Sequence, residues 1–167
     1  MTTLDVSEIN AIVFDFDGVL TDNHVYLNQE GEESVRCNRS DGLAFDALNT
    51  TNIKLFILST EKNLVVEQRA KKLNVTCYQG LNDKLQTLIS LSNDYEFKLE
   101  KTLYVGNDLN DYKAMEACGW SACPADSHKK IQEISKIKLE KKGGDGVVRE
   151  LVENFFMPNL LKNYYVK

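Results

Sequence analysis

The sequence predicts an α/β fold, Rossmann-like, in which a parallel sheet lies between two helical layers. Three observations carry this. Short apolar runs alternate with amphipathic stretches along almost the whole chain, the pattern of strands buried on both faces and joined by crossover helices. The 167 residues suit one domain, 1–167, with room for a substantial core. Acidic and hydroxyl residues follow the apolar runs, at the strand ends where ligands of open parallel sheets bind.

Taken in order, the strand candidates are 11–16 (AIVFDF), 53–58 (IKLFIL), 75–78 (VTCY), 102–106 (TLYVG), 120–123 (WSAC) and a weaker 137–140 (IKLE). Helical spacing appears in 62–73, where Val66, Arg69, Ala70 and Leu73 share a face, and around 82–92, where Leu81, Leu85, Leu88 and Ile89 do. Residues 145–156, DGVVRELVENFF, form a closing helix within a C-terminal tail, 143–167. One stretch breaks the alternation. Residues 24–36, HVYLNQEGEESVR, read as two short strands around a Gln-Glu-Gly-Glu turn, a β-hairpin flap. Its open edges call for a cover, and another subunit is one candidate.

Composition excludes several classes. Apolar residues make up 43% and charged residues 27%, the balance of a soluble globular chain. A net charge of −5 provides no basic footprint for nucleic acid. No apolar run approaches the ~20 residues that span a bilayer, and the start, MTTLDVSEIN, lacks the basic and apolar regions of a signal peptide. Cys37, Cys77, Cys118 and Cys123 form no CxxC pair, and His24 and His128 stand apart. The cysteines therefore read as small buried hydrophobes of a cytoplasmic protein, not as a zinc site. The run 129–142, KKIQEISKIKLEKK, mixes Glu133 and Glu140 among its lysines and reads as a solvated face.

The chemistry gathers at four strand ends. The first apolar run ends in DFDG, 15–18, with Asp15 and Asp17 one position apart and Gly18 allowing a sharp exit. The fourth runs into Asn107, Asp108, Leu109, Asn110 and Asp111. If both strands are central, Asp15, Asp17 and Asp108 meet at one edge. Two carboxylates ~4 Å apart repel by about 4 kcal/mol at an effective dielectric of 20, so three require a cation or a raised pKa. An all-oxygen set favours Mg²⁺ over zinc. After the second strand, Ser59 and Thr60 offer hydroxyls and backbone N–H groups suited to a phosphate oxygen, or a plain helix cap. Lys84 opens the next helix, where a cation opposes the macrodipole, so a compensating anion is expected beside it. A cation, a hydroxyl and an ammonium around one carboxylate suit attack on phosphorus.

IVFDFDGVLTD (12–22), Ser59, Lys84 and GNDLND (106–111), in this order, resemble the four motifs of the haloacid dehalogenase superfamily of phosphatases. The match is closer to the capless, tetrameric phosphatases of 3-deoxy-2-keto sugar acids, and GGDGVVREL (143–151) resembles their glycine-rich tail. The resemblance implies a haloacid dehalogenase-type fold without a cap domain, since the chain between Asp15 and Ser59 holds only the flap and one helix. It implies Asp15 as nucleophile and Mg²⁺ ligand, and Asp17 as acid and base, touching the metal through its carbonyl. Asp108 becomes the second metal carboxylate, Ser59, Thr60 and Lys84 the phosphate cradle, and Asp111 an orienting group for water or substrate. Asn107 stands where an Asp is frequent. The flaps are expected to pack together in a homotetramer, with a neighbour's tail closing each site.

For substrate choice, Glu61 and Arg69 are the specificity candidates, with Asn38, Asp41 and Lys72 also matching substrate-side positions of that group. The octulosonate 8-phosphate enzymes carry Arg at the position of Glu61 and the nononate-type enzymes carry Glu. This points to a nine-carbon acid, 2-keto-3-deoxynononate 9-phosphate or N-acylneuraminate 9-phosphate, with 3-deoxy-manno-octulosonate 8-phosphate as the alternative. Two other classes compete. A signalling receiver domain places its phospho-acceptor on a middle strand, unlike Asp15. A non-catalytic oligomerisation module for a sugar-acid cytidylyltransferase has no need of both Asp15 and Asp17, and both are present.

Overall fold

The structure is a computed structural model, and it describes residues 8–156. Six strands form one sheet in the order β5-β4-β1-β6-β7-β8, all parallel. They are β1 (Ala11–Phe14), β4 (Lys54–Leu58), β5 (Thr76–Tyr78), β6 (Thr102–Val105), β7 (Trp120–Cys123) and β8 (Ile137–Lys138). All six expected strands are present. β1 is central, which is why AIVF is apolar at every position and fully buried. The chain fills one side of β1 with β4 and β5, then crosses to β6, β7 and β8 on the other. That reversal is the topological switch point where ligands of such sheets bind.

Strand alternation divides the core into two faces. Ile12 and Phe14 point to one, where α1 (Ser40–Leu48), α2 (Leu64–Leu73) and α6 (Val147–Leu151) pack through Phe45, Leu48, Val66, Ala70 and Val148. The Phe14 and Phe45 rings meet edge to face at 5.0 Å. Ala11 and Val13 point to the other, against α3 (Lys84–Asp94), α4 (Tyr112–Ala117) and α5 (Lys129–Ile134) through Leu88, Leu91, Met115 and Ile131. This is the expected three-layer arrangement, and no cap domain stands among the described residues.

Local chemistry sets the boundaries. α2 begins two residues later than its periodicity suggests because the Asn63 side chain accepts from Val65 N, and it ends on left-handed Asn74. Asp83 caps α3 in the same way, accepting from Gln86 N. The closing helix is split. Gly146, at φ 97°, starts α6 at Val147, and a π-type turn, Val152–Phe156, follows it. The run 129–142 is not wholly a solvated face: Ile131, Ile137 and Leu139 are buried, because apolar residues at the inward positions of α5 and β8 complete the core. The flap comprises β2 (Tyr26–Leu27) and β3 (Glu33–Ser34), antiparallel. Its turn is held by Asn28 Oδ1, which accepts from Glu30 N and Glu32 N. Of the expected tail, Gly143 and Gly144 pack against Gly18, Thr21 and Asp22 of the same chain, and α6 is built into the core. Residues 157–167 lie outside the described residues. None of the described helices is long and apolar enough to cross a membrane.

Candidate active site

Four loops leave the carboxyl ends of β1, β4, β5 and β6 and converge. β1 delivers Asp15, whose N–H continues the ladder to Val105 O at 2.9 Å. Asp15 is 4% exposed, and its Oδ1 accepts from Phe16 N and from Lys84 Nζ, each at 2.7 Å. Asp17 Oδ1 accepts from the buried Thr21 hydroxyl at 3.2 Å. Gly18 has φ 77°, and a Cβ there would fall 1.9 Å from Asn107 Nδ2, so only glycine fits between the two loops. From β4 come Ser59, buried, whose Oγ accepts from Glu61 N, and the exposed Thr60 and Glu61. Asn63, not Ser59, caps α2.

Lys84 is 2% exposed. The anion expected beside it turns out to be two of the chain's own carboxylates: Nζ lies 2.7 Å from Asp15 Oδ1 and 2.7 Å from Asp111 Oδ1. Asp111 is fully buried. It also accepts from Tyr104 Oη at 3.0 Å and from Asn107 N at 3.0 Å. Tyr104 went unnoticed in the sequence. Its alternation on β6 marks it as buried, and a buried phenol calls for a partner. Asp108 is exposed, with Oδ1 turned back onto its own neighbour, Leu109 N, at 2.7 Å. Asn107 is 8% exposed, and its buried Oδ1 has no hydrogen-bond partner.

Asp15, Asp17, Ser59, Thr60, Glu61, Asn107 and Asp108 line a cavity of roughly 330 Å³, with Lys84 and Asp111 buried behind it. A second cavity of roughly 240 Å³ adjoins it between the flap and α2. Asp17, Asn23 and Glu61 border both. The flap is tied over this second cavity by Asn63 Nδ2, which donates to Glu33 Oε2 at 2.8 Å.

Burial, then the Asp111 carboxylate, push the Asp15 carboxyl well above its ordinary range, and the Lys84 ammonium draws it back. Burial works against the Lys84 ammonium, but Asp15 and Asp111 outweigh it and hold Lys84 above its ordinary value. Lys84 therefore stays charged, and it opposes the burial that disfavours the Asp15 anion. Burial also raises Asp17, with the charges of Glu61 and Glu33 adding to it and the Thr21 hydroxyl opposing. The arrangement sets Asp15, held against a buried ammonium, beside a second carboxyl, Asp17, that favours holding a proton, a pairing suited to acid–base chemistry. The oxygen donors around the cavity, the orphaned Asn107 Oδ1 among them, fit a hard divalent cation.

The remaining candidates do not line either cavity. Arg69 Nη2 donates to Asn38 O at 2.8 Å and its Nε is buried without a partner. Asn38 Oδ1 accepts from Ser40 N at 2.9 Å, at the start of α1. Asp41 is 1% exposed and accepts from Arg149 N at 3.0 Å, capping α6. Burial pushes its carboxyl up to about 6, against the N–H groups of Arg149 and Val148. Lys72 is exposed in the last turn of α2.

The profile of the haloacid dehalogenase-like hydrolases matches residues 51–151. The 3-deoxy-D-manno-octulosonate 8-phosphate phosphatase KdsC of Escherichia coli K12 is 34% identical over 146 residues, 87% of this chain and 78% of the relative. A solved structure from Streptomyces avermitilis superposes with a TM-score of 0.91 at 34% identity, over 95% of this chain and 91% of that one. The 3-deoxy-D-manno-octulosonate 8-phosphate phosphatase of Moraxella catarrhalis was solved in complex with magnesium, phosphate and KDO. It gives 0.86 at 32% identity, over 94% and 88%. Together with the carboxylates at the end of β1, these likenesses establish that the chain belongs to the haloacid dehalogenase-like hydrolases, as a phosphoric monoester hydrolase related to the octulosonate 8-phosphate phosphatases.

Proposed function

We propose that the chain is a Mg²⁺-dependent phosphatase of a 3-deoxy-2-keto sugar acid, working through an aspartyl-phosphate on Asp15. The observation that carries this is the 2.7 Å contact between Lys84 and Asp15 beside a carboxyl, Asp17, whose pKa is raised. Asp15 Oδ1 is engaged by Phe16 N and Lys84, which leaves Oδ2 for attack on phosphorus. As the Asp15–phosphorus bond forms, the bond to the sugar oxygen breaks and Asp17 gives that oxygen its proton. Asp17 then takes a proton from water, whose oxygen displaces Asp15 and frees inorganic phosphate. Ser59, Thr60 and the third Nζ hydrogen of Lys84 are assigned to phosphate oxygens. Asp111 positions Lys84. Asp15, the Asp17 carbonyl and the 107–108 corner would hold the cation, whose charge would offset that of the phosphoryl group.

The acid is assigned as a nine-carbon 9-phosphate, of nononate or N-acylneuraminate type. Glu61 supports this, because it borders both cavities and so stands where the distal sugar must pass. The 8-phosphate of 3-deoxy-manno-octulosonate is the second candidate, favoured by the curated relatives. A homotetramer built on the flaps is part of the same proposal. Val25, Tyr26 and Leu27 are 59%, 58% and 68% exposed there, an apolar surface that asks for a partner. Phosphate release with Mg²⁺ on the three sugar acid phosphates, for the wild type and Asp15→Asn, tests the whole. The expected result is a nine-carbon preference and loss of turnover in the variant. An active Asp15→Asn removes the nucleophile, and an octulosonate preference overturns the specificity.

A further inference from the structure

We infer that Thr21 is the positioning residue of the acid–base step: its hydroxyl holds Oδ1 of Asp17, so that Oδ2 is the oxygen that carries the proton to the leaving group. This rests on the proposed reaction and deepens it, since it names which Asp17 oxygen acts and what aims it.

The inference comes from counting hydrogens. A hydroxyl has one hydrogen to give and two lone pairs to fill. Both lone pairs of Thr21 Oγ1 are taken, by Gly18 N and by Asn23 N, each at 3.2 Å. Its single hydrogen then has one destination, Asp17 Oδ1 at 3.2 Å. Thr21 is fully buried, so no bulk water competes for that hydrogen. The carbonyl oxygen of a carboxylic acid is the better acceptor. When Asp17 is protonated, the hydroxyl therefore selects Oδ1 as the carbonyl and leaves the proton on Oδ2.

The donor itself is fixed from several sides. Thr21 N donates to Phe16 O at 3.2 Å, and Thr21 forms an antiparallel bridge with Cys37. Behind it, Cβ atoms at Gly143 and Gly144 would fall 2.9 Å from Thr21 O and 2.6 Å from Thr21 C, so the glycine loop closes on its backbone. Branching at Cβ stiffens its χ1 as well. Asp17 has no such support. It stands on the loop after β1, bordering both cavities, and among the described residues Thr21 is the one side chain that holds its carboxyl. Proton transfer needs the acid within hydrogen-bond reach of the leaving oxygen, so the tether at Oδ1 sets how often Oδ2 is in place.

The test compares kcat/KM on two kinds of ester, for the wild type, Thr21→Val, Thr21→Ser, Asp17→Asn and the double variant of Thr21→Val with Asp17→Asn. p-Nitrophenyl phosphate releases a stable phenolate that needs no proton. The sugar acid phosphates and glycerol 2-phosphate release alkoxides that do. kcat/KM reads the transfer to Asp15 and not the later hydrolysis. Thr21→Val is expected to lose about tenfold or more on the alkyl esters, part of the ~10²–10⁴ that a general acid supplies, and less than about threefold on p-nitrophenyl phosphate. Thr21→Ser, which keeps the donor, should recover most of the alkyl loss. In the Asp17→Asn background, Thr21→Val should cost less than about twofold more. Equal losses on both kinds of ester, or a further loss of about tenfold in the Asp17→Asn background, would make Thr21 a structural residue only and overturn the inference. Near-UV circular dichroism checks each fold. Should Thr21→Val not fold, Thr21→Cys, a weak donor, carries the same comparison. A wild type active on glycerol 2-phosphate and on no sugar acid phosphate rejects the substrate, and the Thr21 contrast is then read on glycerol 2-phosphate. A wild type inactive on every ester overturns both readings.

Discussion

Replacing Asp41 by Asn should remove a pH dependence from the stability of this fold. Asp41 is 1% exposed, and its Oδ2 has no partner. Burial raises its carboxyl from 3.8 to about 6. The native state therefore binds this proton more tightly than the unfolded chain does. The resulting stabilisation is complete below the unfolded value, near pH 4, and is lost as pH rises through about 6. A shift of roughly 2 units at 1.36 kcal/mol each amounts to about 3 kcal/mol. For a chain of this size that is roughly 6–12 °C in melting temperature. Asn does not titrate, and its Oδ1 can still accept from Arg149 N. The difference in melting temperature, variant minus wild type, should thus climb by about 6–12 °C between pH 4 and pH 7.5. Any fixed cost of the new amide cancels in that comparison. A difference that stays flat within about 2 °C would refute the reasoning, because it would mean the Asp41 carboxylate is not desolvated.

Two further outcomes follow from the site. Lys84→Met strips the cation from two carboxylates that each lie 2.7 Å from it, and should cost about 3–5 kcal/mol. The loss should be larger at pH 8 than at pH 5, where Asp15 can neutralise itself. Thermal melts at the two pH values measure this, and equal losses would count against a buried ionic cluster. Glu61→Arg should lower kcat/KM for the nine-carbon acid about tenfold or more relative to the octulosonate, a differential loss of ~1.4 kcal/mol. Unchanged selectivity would take Glu61 out of substrate recognition.

The sheet was legible because its signal is local. AIVF, KLFIL and TLYV are apolar at nearly every position, as strands covered on both faces must be, and their ends name the loops that meet at the switch point. The flap was legible from its turn residues. Three things were not. The Lys84 periodicity could place a cation at a helix start and imply an anion, but not that the anions would be Asp15 and Asp111, because that depends on how deeply α3 seats against β6. The sequence could align Asn38, Asp41 and Arg69 with a motif but could not show that Asp41 is buried. That follows from α1 packing on α6, segments about a hundred residues apart in sequence. The sequence singled out Asp108 and passed over Asn107, and only the backbone shows that Asn107 is the buried one of the two and Asp108 the exposed one. The alternating apolar positions of 129–142 were available, but its lysines obscured them.

The position of β1 has a consequence for how this protein comes into being. Among the described residues, β1 is the first strand of the sheet in sequence and lies at its centre in space. One neighbour, β4, starts at Lys54, and the other, β6, starts only at Thr102. While the chain is being made, AIVF must wait with its hydrogen-bonding edges unmatched, and pairings of such long range are slow to close. Asp15 stands without its partners in that interval, since Lys84 and the Asp111 and Tyr104 that surround it come from later segments. The nascent chain thus carries a sticky apolar segment and an unassembled carboxylate–lysine cluster, and it buries the one and completes the other in the same closing step.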